Sequence, residues 1–383
     1  MNRRGFLAAG CACGASLACG LAHAQAEWQS PARFARPDVA TDEGGLWAMM
    51  DREEVRLRRS PFAIRDQQLR EYIQGIACRL AGEHCPDVRV YLFQTPFFNA
   101  NMAPNGMMQV WTGLMLRVDN EAQIATVLGH EIGHYLQRHS LERLRDAKSR
   151  SAFGQFMGLF GIVGAIGQLA VVASAYAYTR DQEREADEIG VTLMRRAGYD
   201  VAEASKVWEN LFLEIKARPN YDSATFPMFA THPGVEERQE TLKKLAEAAP
   251  GGVTNEEAWR EKTKPFRREW LADEVKRGQY EESIALLTRM IARTPSQADV
   301  VFARGEVYRL RAKDRDLDAA FADYQAAVAI GGEPPETHRG LAIIYRNRNQ
   351  LPQARASFER YMQAAPNAPD LLMIKSYLEE LGT

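Results

Sequence analysis

The chain has 383 residues, and a prior of roughly 150 residues per domain predicts two or three domains with a sizeable core. Its formal net charge is −2, with basic and acidic residues interspersed, so nothing in the charge pattern points to nucleic acid.

Residues 1–26 read as an export signal that takes no part in the fold. Asn2-Arg3-Arg4-Gly5-Phe6-Leu7 is a charged start, an uncharged run follows to Leu21, and Ala22-His23-Ala24 and Ala24-Gln25-Ala26 are overlapping cleavage motifs. The paired arginines before Phe6-Leu7 are those of a twin-arginine signal, with an ordinary secretory signal as the alternative. The mature chain is then expected to start near Gln25 or Glu27, in the periplasm. Ala9-Gly10-Cys11 and Leu17-Ala18-Cys19 match lipid-attachment sites only in part.

Cleavage would leave two of the five cysteines, Cys78 and Cys85. An oxidising compartment favours a short-loop disulfide between them over a pair of free buried thiols. Leu69, Tyr72, Ile73 and Ile76 recur at helical spacing and predict a helix over 66–80, with Gly82 as its natural end. Val88–Leu92 alternates as a strand. Asn99–Gly106 is rich in turn residues, and Met107–Thr112 is a second strand. Met107, Gln109 and Trp111 on it could receive an extended peptide by strand addition, or could belong to a plain core strand.

Leu128-Gly129-His130-Glu131-Ile132-Gly133-His134 then holds the pattern H-E-x-x-H. On a helix, residues i and i+4 share a face, so His130 and His134 can present two imidazole nitrogens to one metal ion. Glu131 lies beside that face, able to take a proton from water without being a ligand. Asn120 and Gln123 form a capping-box-like start, and Ile124, Leu128, Ile132 and Tyr135 predict a buried stripe. Gly129 and Gly133 weaken a helix, which makes sense if something must approach its backbone closely.

From Ser151 to Thr179 there is no charged residue, and five glycines punctuate the run. Its length would cross a membrane as one helix. A single crossing would put His130 and His134 on the opposite side from the acidic segment that follows. Residues 151–179 are therefore expected as a buried or interfacial helical hairpin, or as a flap over the cleft, with peripheral membrane contact as an option.

A catalytic zinc takes three protein ligands and keeps one open position. Of the seven histidines, His23 is removed with the signal, His84 and His338 lie in other contexts, and His139 is off the ligand face. A carboxylate is needed unless His232 serves. In Thr179-Arg180-Asp181-Gln182-Glu183-Arg184-Glu185-Ala186-Asp187, Glu183 can ligate while Asp187, one turn on, supports a ligating imidazole. Glu185 points elsewhere on that helix.

These motifs resemble the metallopeptidase family of HtpX and the type I CaaX prenyl protease, in its exported, repeat-bearing, BepA-like branch. The resemblance runs from about Ser60 to Leu245. It rests on Asn99-Ala100, Asn105-Gly106, Gly113-Leu114, Val127–His134, Arg138-His139, Glu183-x-x-Ala186-Asp187 and Thr231-His232-Pro233 with Arg238 downstream. It implies one Zn2+ per chain, held by His130, His134 and Glu183, with Glu131 as base. It further implies misassembled outer-membrane proteins as substrates and the outer-membrane β-barrel assembly machinery as partner. Three roles stay open for His232: a fourth ligand that blocks the open position, a donor to the oxyanion, or a structural hydrogen-bonder.

Beyond Pro250-Gly251-Gly252 the pattern changes to repeats. Gly278-x-Tyr280-x-x-Ser283-x-x-x-Leu287, Leu317-x-x-Ala320-x-x-x-Tyr324-x-x-Ala327 and Leu351-x-x-Ala354-x-x-x-Phe358 recur. Ala320 and Ala354 are 34 residues apart, the tetratricopeptide period, while Ser283 to Ala320 is 37. The expected fold is mainly α with a small β-sheet. A gluzincin-type zinc protease domain spans 27–250 and a linker 251–263. An all-α solenoid of three tetratricopeptide repeats with a capping helix then fills 264–383. Together these features predict an exported zinc endopeptidase acting in envelope protein quality control. The rival is a latent protease that works mainly as a chaperone or adaptor.

Overall fold

A computed structural model describes residues 28–146, 178–219, 228, 232, 235–248 and 250–382. The expected export signal at 1–26 and the uncharged run up to 177 lie outside these residues. The chain divides into two compact units, Met1–Pro31 and Ala32–Thr383, and every described helix and strand belongs to the second.

Helix α1 (Asp42–Arg58) and α2 (Gln67–Ala81) precede the sheet. Asp66 caps α2 through its side chain, and Gly82 ends it with φ 56°. A 3-10 turn (Gly82–Asp87) follows, and the structure pairs Cys78 with Cys85 as a disulfide across it. Strands β1 (Arg89–Phe93), β2 (Ala100–Met102) and β3 (Met107–Trp111) form one sheet in the order β1-β3-β2. β3 runs parallel to β1, with Arg89 opposite Met107, and antiparallel to β2, with Met102 opposite Met108. The core between α1 and the sheet holds Leu46, Met50, Leu57, Phe93, Met107 and Trp111.

This order corrects the expectation for Met107, Gln109 and Trp111. β3 is the central strand, buried along its whole length, and both of its edges are already paired. It has no backbone groups left for a substrate. The outer side of β1 is covered by backbone bonds from Ile64 to Leu92 and from Gln94 to Phe62. The remaining edge is β2, inside the stretch that reads as turn.

Helix α3 (Thr112–Arg117) leads to α4 (Glu121–Leu136). The Asn120 side chain caps α4 by accepting from the Gln123 N–H at 2.9 Å, and Gln123 reaches back to accept from the Asp119 N–H at 2.8 Å. All sixteen residues of α4 are buried, so it is a central helix and not the amphipathic one its stripe suggests. It is enclosed by α2, β2, α6 (Arg180–Arg196) and α7 (Glu203–Lys216), with α5 (His139–Asp146) at its end. The two helix glycines have a packing reason. A Cβ at Gly133 would lie 2.9 Å from the Ala186 carbonyl, and one at Gly129 would lie 3.2 Å from the Gly190 carbonyl. The backbones of α4 and α6 touch there, which fixes Glu183 and Asp187 against the H-E-x-x-H face.

After α8 (Val235–Glu247) the chain continues through α9 (Glu256–Lys276), α10 (Tyr280–Arg293), α11 (Ala298–Arg311), α12 (Asp316–Ile330), α13 (Glu336–Asn347), α14 (Leu351–Ala364) and α15 (Leu371–Glu380). Most of the segment expected as a linker, 251–263, is therefore helical. Trp259 explains it: the side chain is buried and donates from Nε1 to the Val118 carbonyl at 3.1 Å, so α9 docks on the peptidase side. Successive helices pack together, and the fully buried Tyr324 of α12 shows how. Its ring lies against Gly305 of α11 and Gly340 of α13, where any Cβ would collide with it at 2.7 and 2.6 Å. Removing such a ring costs about 3–5 kcal/mol.

Arg117, at the end of α3, anchors the seam between the two halves. It donates to Glu214 of α7 at 2.8 Å, to Glu274 of α9 at 2.9 Å and to the Gly113 carbonyl at 3.1 Å. Arg289 of α10 reaches Glu214 at 3.0 Å and Asp119 at 3.1 Å, and Arg277 binds Glu274 and Glu282, each at 2.6 Å. Burial pushes Glu274 up, but Arg117 and Arg277 beside it hold its carboxyl below the usual range.

Candidate metal centre

His130 and His134 project from α4, Glu183 from the first turn of α6, and His232 from the segment before α8. One ligand atom from each of these four buried residues comes within 4.8 Å of every other. His130 Nε2 is 3.1 Å from His134 Nε2, and His134 Nε2 is 3.3 Å from Glu183 Oε1. His232 Nδ1 lies 3.2 Å from His130 Nε2 and 2.9 Å from Glu183 Oε1. Four donors at about 2.0–2.1 Å from a tetrahedral ion stand about 3.3 Å apart. Four of the six donor pairs, at 3.1, 3.3, 3.2 and 2.9 Å, stand close to that spacing.

The tautomers fit too. His130 Nδ1 lies 2.9 Å from Asp187 Oδ1 and 3.0 Å from Arg238 Nη2; the guanidinium makes its shorter contact to Asp187, at 2.7 Å, so Nδ1 gives its hydrogen to the carboxylate, which can only accept, and Nε2 faces the cluster with a lone pair. Two nitrogen lone pairs and a carboxylate oxygen cannot face one another at these distances without a proton or a cation between them. Among the described residues the buried Glu131 Oε1 has no hydrogen-bond partner, while Glu183 Oε2 is ion-paired to the Arg238 guanidinium at 3.0 Å. The donor set thus fits a divalent ion of zinc's size and ligand preference.

Arg238 of α8 holds the carboxylates from behind. Its guanidinium donates to both oxygens of Asp187, at 2.7 and 2.8 Å, lies 3.0 Å from Glu183 Oε2 and sits over the Trp208 ring at 4.1 Å. Burial opposes the ionisation of Glu183, but the fields of His232 and Arg238 hold its carboxyl well below the usual range. Burial, with Arg238 nearby, lowers His130 to about 4, so its imidazole stays neutral and able to ligate. Burial lowers His134 as well, with His130 adding to the effect.

Glu131 is buried beside the cluster but outside the donor set, with its Oε1 3.6 Å from His232 Nε2. Burial, then Glu183, pushes it up to about 7, against the pull of His232 and of a hydrogen bond from the Met102 backbone in β2. Tyr178 closes one side. Its ring stacks on His134 at 3.8 Å, and its hydroxyl is 3.0 Å from Ser140 Oγ. On the far side of His134, Nδ1 is 2.8 Å from His139 Nδ1.

The structure therefore gathers His130, Glu131, His134, Glu183, Asp187 and His232 at one place. Met107, Gln109, Trp111, Cys78 and Cys85 are not in the donor set. In the sequence Arg238 stands out only as part of a motif, since its contacts lie 51 and 108 positions away. Tyr178 is hidden in the uncharged run, and Met102 in a stretch that reads as turn.

Residues 63–246 match the model of peptidase family M48. Over 235 residues the chain is 29% identical to a protein of Yersinia pestis named beta-barrel assembly-enhancing protease, covering 55% of this chain and 47% of that one. A protein of the same name from Escherichia coli K12 is 28% identical over 225 residues, covering 53% and 45%. The mitochondrial metalloendopeptidase OMA1 of Arabidopsis thaliana is 32% identical over 122 residues, covering 32% and 25%. The chain thus spans about half the length or less of these curated relatives.

Proposed function

From the match of residues 63–246 to peptidase family M48, we propose that the chain is a peptidase of this kind, a zinc-dependent endopeptidase holding one Zn2+ through His130, His134 and Glu183. The observation that carries this reading is the buried donor set at tetrahedral spacing, with a carboxylate of raised pKa beside it. Zinc, when bound, supplies Lewis acidity to the scissile carbonyl.

The chain's own residues do the rest. Glu131 takes a proton from the attacking water and returns it to the leaving amine, and a pKa lifted towards neutrality suits a group that must do both. Asp187, clamped by Arg238, fixes the His130 ring. β2 is the edge strand of the sheet and abuts α4, and its Met102 backbone already bonds Glu131. A peptide extended along that edge would gain backbone hydrogen bonds and pass the catalytic carboxylate.

His232 decides the resting state. Its Nδ1 stands among the donors at ligand spacing, which supports a fourth-ligand role and a latent enzyme, opened by substrate or partner. The same observation favours the second reading, in which the chain serves mainly as a chaperone or adaptor while the position is plugged. Replacing His232 with Ala then raises proteolysis, whereas a fall supports the oxyanion role.

The remaining roles rest on the sequence and on the relatives. The helices from α9 onward act as tetratricopeptide repeats that bind substrates or a partner. The Cys78–Cys85 pair and the amino-terminal signal support a periplasmic location, with peripheral membrane contact through 151–179. No described helix is long and apolar enough to cross a membrane. The relatives' name supports misassembled outer-membrane proteins as substrates and the β-barrel assembly machinery as partner.

The decisive experiment compares wild type with Glu131→Gln for zinc content and casein cleavage. Both should bind about one zinc per chain. Cleavage should fall about 10²–10⁴-fold in the variant. Equal, measurable cleavage by the two would remove Glu131 from the mechanism, silence from both moves the comparison to the His232→Ala background, and absence of zinc from both would end the metal assignment.

A further inference from the structure

We infer that His139 and Glu185 form a directional hydrogen-bond relay that orients His134 for the metal, making both of them positioning residues of the centre. The inference rests on the zinc site proposed above. Both residues lie off the ligand face, and neither has a role in the proposed reaction.

The direction of the relay follows from the distances. His134 Nε2 faces His130 Nε2 at 3.1 Å and Glu183 Oε1 at 3.3 Å, so this nitrogen meets the ion. A histidine that gives its Nε2 lone pair to a cation carries its hydrogen on Nδ1. That Nδ1 is 2.8 Å from His139 Nδ1, so His134 donates and His139 accepts. His139 must then carry its own hydrogen on Nε2, which is 3.3 Å from Glu185 Oε2, and the carboxylate accepts. Each link forces the next. The other oxygen of Glu185 accepts from the Gln137 amide.

Backbone placement supports the same assignment. Arg138 follows α4 with φ 59°, a left-handed conformation unfavourable for a non-glycine residue. It is held by a salt bridge to Glu43 and by the Phe34 ring 4.8 Å from its guanidinium. This turn swings His139, the first residue of α5, back against a ligand five positions earlier. Its ring is buried, while the Glu185 side chain is 47% exposed. With Tyr178 stacked on its face, the His134 ring is fixed both in plane and about its own axis.

The two ligands of α4 are thus backed by unequal partners. Asp187 reaches His130 directly, and its charge is shared with Arg238. Glu185 reaches His134 only through a second imidazole.

The test uses the full chain and the metal alone. Zinc dissociation constants come from competition with a chromophoric chelator, and the visible spectrum of the cobalt(II)-substituted protein reports ligand geometry. His139→Phe, which keeps the ring shape and loses both nitrogens, should weaken zinc binding about 10–100-fold and alter the cobalt bands. His139→Asn, whose side-chain carbonyl can accept from His134, should recover most of that loss. Glu185→Ala should weaken binding in the same direction but less. His139→Phe with wild-type affinity and an unchanged spectrum would overturn the relay while leaving the zinc site intact. If His139→Phe does not fold, Glu185→Ala decides, and wild-type behaviour in both readouts overturns the relay. A wild-type chain that binds no zinc, or a His134→Ala variant that binds it equally well, would overturn the zinc site and the relay with it.

Discussion

The buried charges at the helix seam and at the H-E-x-x-H helix differ in how completely their carboxylates are satisfied. At the seam, every carboxylate oxygen of Glu214, Glu274 and Glu282 accepts from an arginine: Arg117, Arg277, Arg289 or Arg218. At the H-E-x-x-H helix, Glu131 Oε1 has no hydrogen-bond partner among the described residues, and the ligand nitrogens of three histidines converge on one point. Both clusters are buried and carry arginine. Only the second leaves a carboxylate oxygen without a partner among the described residues; what the seam leaves over are the Arg277 and Arg289 Nε donors. Burial of charge therefore marks a site less well than the acceptors that burial leaves unsatisfied.

The largest stability effect expected from this difference is at the seam. Arg117→Met would leave Glu214 and Glu274 facing each other without their shared cation, at a cost of about 3–5 kcal/mol in denaturant unfolding. A cost below about 1 kcal/mol would mean that the seam does not depend on its pairing.

Removing zinc is the matching perturbation at the other cluster, with a somewhat smaller effect. At free zinc a hundredfold above its dissociation constant, the ion contributes about 2.7 kcal/mol to the fold. Chelation should lower the thermal midpoint, and added zinc should restore it. A midpoint indifferent to chelator would place the two clusters in the same class.

A third effect is a pH dependence in the metal-free protein. Burial and Glu183 raise Glu131 from 4.5 to about 7 in the fold. Between those values the folded chain holds a proton that the unfolded chain releases, so this group makes the fold lose stability as pH rises through the window. Glu131→Gln has no such proton. The metal-free variant should therefore gain in thermal midpoint over wild type between about pH 4.5 and about pH 7. A constant difference across that range would remove the titration from Glu131.

Much of the site is legible in the sequence because its chemistry is local. His130, Glu131 and His134 share two turns of one helix, and Glu183 and Asp187 share one turn of another. Gly129 and Gly133 signal a close approach, and the Ala186 and Gly190 backbones supply it. What stays hidden is long-range or short. β2 has three residues, too few to show a period, so Ala100–Met102 passes for turn and β3, the strand leading to the H-E-x-x-H helix, is read as the substrate strand instead. Which strand lies in the middle of a sheet is a fact about its neighbours, and nearness in sequence to the metal helix does not carry it. Arg238 is solvent-facing by composition, and its place between Asp187 and Trp208 follows only from how α8 docks. Helical spacing places His139 and Glu185 off the ligand face, as the structure does, but an imidazole has two nitrogens, and spacing says nothing of what the rear one meets. The segment 251–263 looks like a tether because of Gly251 and Gly252, yet Trp259 behind them needs burial.

The brevity of β2 has a kinetic consequence for the proposed enzyme. An edge of three residues pairs with backbone and so reads little of a target's sequence, but it accepts only chain already freed from its own structure. A protein in its native state offers such a run only during rare local openings, whereas a misassembled one offers it much of the time. When opening and closing are fast compared with cleavage, the rate follows the equilibrium fraction of open target. Selection would then act through the target's folding equilibrium, and two substrates of identical sequence would be cut at different rates if one had reached its final assembly.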